Sequence, residues 1–152
     1  MVRLDKLRIE KVLDLPVQLD ALIESSKIEG LRFLERLKYD FQNGENCFNQ
    51  LGEALFTVYE QNRLIAICGL NQNPYDDYDV NKVGRIRRFY IHPLYRRKGV
   101  GHHLLSYIER YARAYFNELQ LFTDTENAAN FYQMMRYEKV ALPHTNFRKI
   151  FM

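Results

Sequence analysis

Apolar positions along the 152-residue chain change their period several times, and each change marks an element. Leu4, Leu7, Ile9 and Val12 stand among charges over residues 3–12, the pattern of an edge strand. Pro16 is suited to the start of a helix in which Leu19, Leu22 and Ile23 share a face and which ends near Ser25-Ser26. Leu31, Leu34, Leu37 and Phe41 predict a second helix over about Ile28 to Asp40. The Asn-rich run from Phe41 to Gly52 reads as a loop. Ala54 to Glu60 and Arg63 to Leu70 then form a hairpin about a Gln61-Asn62 turn. Asn71 to Lys82 is a polar loop, and Gly84 to Ile91 is a central strand stopped by His92-Pro93. Val100, Leu104, Leu105, Ile108, Ala112 and Tyr115 give a helix over about Gly99 to Tyr115. A strand at Leu119–Thr123, a helix at Thr125–Arg136 and strands at Tyr137–Leu142 and Thr145–Phe151 close the chain. The order predicts a mixed α/β (α+β) fold. A central mixed β-sheet of six to seven strands is flanked by about four helices in one domain, residues 1–152.

Composition narrows the class more than the function. A 47% apolar, 27% charged chain of this length is globular and large enough for a real core. No apolar run reaches the roughly 18–20 residues that span a bilayer, and the charged start Met1-Val2-Arg3-Leu4-Asp5-Lys6 lacks a signal-peptide pattern. Cys47 and Cys68 are too few for a disulfide framework or a four-cysteine metal site. A reducing, cytoplasmic setting and no membrane partner are expected. Net charge is only +3, yet the interval between Asp79 and Glu109 holds seven basic residues and no acidic one. These are Lys82, Arg85, Arg87, Arg88, Arg96, Arg97 and Lys98, and they suggest a local anion site.

Within that interval Arg96-Arg97-Lys98-Gly99-Val100-Gly101 follows a strand and opens a helix. A helix N-terminus offers free N–H groups and partial positive charge. Glycines let backbone approach a ligand, and the Arg-Arg-Lys triplet adds charge-assisted hydrogen bonds. The pattern describes a pyrophosphate cradle. It is neither a P-loop, since His102-His103 follow Gly101, nor a dinucleotide fingerprint, since Leu104 takes the third glycine's position.

Arg96-x-x-Gly99-x-Gly101 resembles the signature of the GNAT superfamily, the acetyl-CoA-dependent N-acetyltransferases. The preceding Arg87 to Arg96 run is similar to the strand and proline turn of that family. Ala128-x-x-Phe131-Tyr132-x-x-x-Arg136-Tyr137 resembles its second signature, about 30 residues on. The resemblance covers roughly residues 54 to 142. It implies acetyl transfer from acetyl-CoA, as co-substrate, to a primary amine by direct attack. The exposed backbone of Phe89, Tyr90 and Ile91 would pair with pantetheine. Arg96 and the amides of Arg97, Lys98, Gly99, Val100, Gly101 and His102 would hold pyrophosphate. Asn127 or Asn130 would reach the cofactor, and Tyr132 would protonate the departing thiolate.

Three departures from the family pattern stand out. Arg136 replaces the usual glycine, so a different turn is expected there. Thr125 replaces a frequent Asn and suits an N-cap. Gly84-Arg85-Ile86-Arg87 has no carboxylate where many members carry a glutamate that relays the amine's proton, leaving water, His92 or another group to serve. Strand alternation sets Arg85, Arg87 and Phe89 on one face, and an arginine in the acceptor cleft would suit an acceptor bearing a carboxylate or phosphate. His102 and His103 point in different directions, and no metal site is assigned. Two alternatives remain: a non-catalytic acyl-CoA-binding regulatory domain of the same fold and, last, a basic nucleic-acid-binding module. Tyr107, Tyr111 and Tyr115 recur at helical spacing and read as packing or interface. A monomer or homodimer is expected.

Overall fold

The structure, a computed structural model, describes residues 2–152. Seven strands form one sheet: β1 (Leu7–Val12), β2 (Ala54–Glu60), β3 (Arg63–Gln72), β4 (Val83–Ile91), β5 (Glu118–Leu121), β6 (Glu138–Leu142) and β7 (Thr145–Ile150). Their order is β1-β2-β3-β4-β5-β7-β6. Every neighbouring pair is antiparallel except β4 and β5. The helices are α1 (Leu19–Ile28), α2 (Phe33–Gln42), the single turn α3 (Tyr78–Asn81), α4 (Val100–Ala112) and α5 (Glu126–Met134). This mixed α/β architecture is the one the hydrophobic pattern predicts.

Side-chain alternation divides the core between the two faces of the sheet. Phe56, Cys68, Ile86, Leu119 and Phe147 join Leu104, Leu105, Ile108 and Tyr132 under α4 and α5. Leu55, Ile67 and Tyr90 join Leu19, Leu22, Leu34 and Leu37 under α1 and α2. The tyrosines spaced along α4 are packing residues: Tyr107 and Tyr111 lie edge-on to Phe56, with ring centroids 5.9 and 5.4 Å away.

Several boundaries differ from the expected ones. α1 continues through Ser25-Ser26 to Ile28, because the buried Ser26 hydroxyl donates to Ile23 O at 2.7 Å and so needs no water. The second helix starts at Phe33, not Ile28. Gly30, at φ 79°, ends α1 with paired bonds from Gly30 N to Lys27 O and from Leu31 N to Ser26 O. α3 interrupts the expected 71–82 loop where the Asp77 carboxylate accepts from Asp79 N, and β3 runs on to Gln72. α4 stops at Ala112, short of Tyr115.

Candidate functional site

β4 is the axis of the site. It pairs with β5 only over Val83–Arg85 against Glu118–Gln120, so Ile86–Ile91 has no strand partner on that side. On its other side β4 is bulged: Tyr90 opposes Ile67 and Arg87 opposes Gly69, leaving Arg88 and Phe89 across from Cys68 alone. Arg88 takes φ 58° there, a left-handed conformation that is costly for a residue with a Cβ.

The bulge shifts the phase of the strand and overturns the expected alternation. Ile86 and, past the bulge, Phe89 and Ile91 face α4 and α5. Phe89 packs edge-on to Phe131 and Tyr132 with centroids 5.8 and 6.5 Å away. Tyr90 faces α1, where its hydroxyl shares a 2.8 Å hydrogen bond with Ser25 and donates to Glu29 Oε2 at 2.6 Å. Arg85 likewise lies off the α4 side, against Asn73, Thr145 and His144. Phe89 is therefore not on the face of Arg85 and Arg87.

α4 begins where β4 and a short 3-10 turn, Pro93–Tyr95, end. His92 is a structural cap here: its Nδ1 accepts from Leu94 N at 3.1 Å. The N–H groups of Arg97, Lys98, Gly99, Val100, Gly101 and His102 have no hydrogen-bond partner among the described residues. The first intrahelical bond runs from His103 N to Gly99 O. Arg97 and Gly99 both have positive φ (59° and 84°), which curls this run of amides. The exposed Arg97 and Lys98 form no ion pair with any described residue.

Arg96 behaves differently from its neighbours in the triplet. Its guanidinium grips Glu29 with two bonds of 2.6 and 2.9 Å and donates to Ile91 O at 2.9 Å. It ties the loop to α1 and is not free for a phosphate. These bonds hold the Glu29 carboxyl below its ordinary pKa and raise that of Arg96. The glycines also act for reasons other than ligand approach. A Cβ on Gly101 would sit 3.0 Å from Ile91 Cδ1 and 3.2 Å from Phe131 Cε1, so Gly101 allows α4 to seat on β4 and α5. Gly99 is needed for its left-handed φ.

α5 carries Tyr132 into the core at 6% exposure. Its ring lies among Phe89, Phe131, Tyr137 and Phe147, and its hydroxyl makes no hydrogen bond with any described residue. Burial raises its pKa strongly, so it stays protonated at neutral pH. Cys68, fully buried nearby, is likewise raised by burial and has no reactive character. Thr125 caps α5 as expected, accepting from Ala128 N at 3.2 Å. Asn127 is exposed on the first turn. Asn130 turns away from Phe131 and Tyr132 and joins Thr125, Gln133 and Lys139 around a depression of about 360 Å³.

The turn after α5 is not a different one. Arg136 adopts φ 69° and makes the glycine-type C-cap unaided, with Arg136 N bonded to Gln133 O and Tyr137 N to Tyr132 O.

What sequence reasoning missed is the surroundings of Arg85. The residue is 7% exposed. Its guanidinium donates to Thr145 Oγ1 at 3.1 Å, to Asn73 Oδ1 at 3.5 Å and to the His144 carbonyl. Tyr75 covers it, with the guanidinium carbon 5.1 Å from the ring centroid, and Tyr75 stacks on His144 at 4.0 Å. The partners come from loops far apart in the chain, so no local pattern announces them.

The acetyltransferase (GNAT) family profile matches residues 20–136. The chain belongs to this family. Its fold agrees. A protein of Exiguobacterium sp. 255-15 assigned to the acetyltransferases is 27% identical and superposes with a TM-score of 0.83, over 95% of this chain and 93% of the other. An acetyltransferase of Streptococcus agalactiae 2603 is 19% identical, with a TM-score of 0.75 over 96% and 99% of the two chains. The Bacillus subtilis N-acetyltransferase YlbP, solved in complex with coenzyme A, is 16% identical, with a TM-score of 0.59 over 95% and 96%. No curated protein matches. Among the described residues of this GNAT chain, no helix is long and apolar enough to cross a membrane.

Proposed function

We propose that this chain transfers the acetyl group of acetyl-CoA to a primary amine. The observation that carries the reading is the run of unpartnered amides from Arg97 to His102, flanked by the free cations Arg97 and Lys98 and beside the unpaired edge of β4. Backbone donors and two cations suit a pyrophosphate. A strand edge suits an amide-bearing pantetheine arm, which can pair with it as an added strand. YlbP, a relative in fold, holds coenzyme A.

The amine nitrogen attacks the thioester carbonyl, the C–N bond forms and the C–S bond breaks. A backbone N–H near the β4 bulge stabilises the oxyanion. Tyr132, held protonated by burial, donates a hydrogen bond to the departing thiolate. The proton the thiolate finally takes balances the one the amine releases to water, since Gly84–Arg87 supplies no carboxylate. That missing carboxylate favours the second reading, a domain that binds acyl-CoA without turnover. The unengaged Tyr132 hydroxyl favours the enzyme.

Calorimetry with acetyl-CoA, together with thiol release over a panel of amines, tests the reading. Acetyl-CoA binds, and the double variant Arg97→Glu/Lys98→Glu weakens binding by at least about 10-fold with the melting temperature unmoved. Unchanged affinity in that variant would remove the cradle. Binding without thiol release on any amine would favour the second reading.

A further inference from the structure

The face of β4 opposite α4 and α5 gathers positive charge in a way the fold itself does not require. Arg85 is buried, yet its three acceptors are a hydroxyl, an amide oxygen and a backbone carbonyl, none of them a carboxylate. A buried cation is ordinarily paired, because taking the charge out of water is costly. The guanidinium of Arg87, two residues on and half-buried, has no hydrogen-bond or ion-pair partner among the described residues. Arg88 reaches only Asp40 on α2, at 3.9 Å, a loose contact for an ion pair. Burial first, and Arg87 after it, lowers the proton affinity of Arg88, and Arg36 on α2 adds to this. Arg85 is lowered by burial first, and Arg87 adds to it. The geometry agrees: Arg85 and Arg87 alternate onto one face of β4, Arg88 at the bulge reaches Asp40, and Arg36 stands one helical turn before Asp40 on α2.

The carboxylates nearby are already engaged. Asp76 accepts from Asn73 Nδ2 at 2.6 Å. Glu118 accepts from Gln120 Nε2 at 2.7 Å. Glu29 is held by Arg96 and Tyr90. Among the described residues, Asp40 is the one carboxylate within ion-pair distance of any of the four arginines. Four cations against one acid, with Arg85 buried, Arg87 and Arg88 half-buried and Arg36 exposed, beside the point where β4 parts from β5, leave an electrostatic deficit that an anion would fill.

We propose that Arg85, Arg87, Arg88 and Arg36 form a subsite for an anionic group of the acceptor, whose amine lies a few bonds from a carboxylate or phosphate. The inference rests on the acetyl-transfer reading for what happens to the amine. It identifies the molecule that brings the amine. Arg87 offers the open donor fork, Arg88 and Arg36 flank it, and Arg85 acts from behind, fixed by His144 and Thr145. Polyamines and other polycations are excluded by like-charge repulsion at the same place.

The test is equilibrium binding, which needs no turnover. L-Glutamate, O-phospho-L-serine, L-glutamic acid dimethyl ester and spermidine are titrated calorimetrically into the protein, with and without saturating CoA. Expected is binding of glutamate or phosphoserine at least about 10-fold tighter than the diester, which keeps the amine and loses the carboxylates, with spermidine weaker still. The tighter of the two anions identifies carboxylate or phosphate as the group held. Arg87→Ala lowers that affinity by about 10-fold or more, the loss of one charge-assisted contact, with the melting temperature unmoved. Arg85→Gln lowers it too; because Arg85 also braces the β6–β7 turn, Arg87→Ala is the deciding variant. Equal binding of the diester, tighter binding of spermidine, no binding of either anion, or an Arg87→Ala variant that binds as well as the wild type would each overturn the proposal. A protein that binds anionic amines but not CoA fails the acetyl-transfer reading and leaves the subsite standing.

Discussion

The two faces of β4 are built on opposite terms. Toward α4 and α5 the strand presents Ile86, Phe89 and Ile91, and these meet aromatic rings and the bare Cα of Gly101. Toward α1 and α2 it presents Tyr90 and a row of arginines with one loose carboxylate contact. The first face is closed by packing, and it holds the Tyr132 hydroxyl, which makes no hydrogen bond with any described residue. The second is held by hydrogen bonds and leaves charge unanswered. Under the acetyl-transfer proposal, one side of the strand supports the cofactor arm and its departing sulfur while the other selects the acceptor. The bulge at Arg88 makes the arrangement possible, because it resets which residues face which side.

Removing that hydroxyl from the apolar face has the largest expected effect. Tyr132→Phe keeps the ring against Phe89 and Phe147 and lowers kcat by about 10²-fold, in the range for losing a proton donor, with affinity for acetyl-CoA retained. Steady-state thiol release beside calorimetry checks it, and intact turnover would make Tyr132 a packing residue only.

Overfilling the same face comes next. In Gly101→Val the added methyl groups enter the space between Ile91 and Phe131, a change expected to destabilise the fold by about 1–3 kcal/mol. Thermal or urea denaturation measures it. A variant as stable as the wild type would show that α4 can lift from β4 freely.

The smallest effect separates two strained arginines. Arg136 and Arg88 both hold a positive φ, at 69° and 58°. Arg136 is exposed at a helix end, whereas Arg88 is at the bulge on the arginine face. Arg136→Gly should stabilise the protein by about 1 kcal/mol, since glycine takes that conformation without strain, and should leave CoA binding and thiol release alone. Arg88→Gly should relieve similar strain and yet weaken binding of an anionic amine. Equal behaviour of the two variants in the binding assay would remove Arg88 from the subsite.

Much of this was legible from residue order. Period changes marked the seven strands and four main helices. Arg96 to Gly101 and Ala128 to Tyr137 carried the resemblance that the family match over residues 20–136 bears out. Thr125 as an N-cap and the α4 tyrosines as packing residues followed from local rules, because a cap or a helical stripe involves neighbours three or four positions away. Local rules failed where the outcome depended on distant partners. Nothing near Arg96 foretells Glu29. Nothing near Gly101 says that its bare Cα lies against Ile91 and Phe131. At Arg136 a residue-type rule predicts a different turn, but two backbone hydrogen bonds hold the exposed arginine in glycine's conformation.

The elements, the sheet-and-helix class and the basic, glycine-bearing head of α4 are set by residue order alone, because periodicity and backbone preference are properties of short segments. Which side each β4 residue faces, and which charges are neutralised, emerges only when the chain is folded. A one-residue bulge reverses alternation for everything beyond it. Whether a guanidinium is paired depends on carboxylates brought from elsewhere in the chain, and that left Arg96 engaged, Arg97 and Lys98 free, and Arg85 buried without an acid.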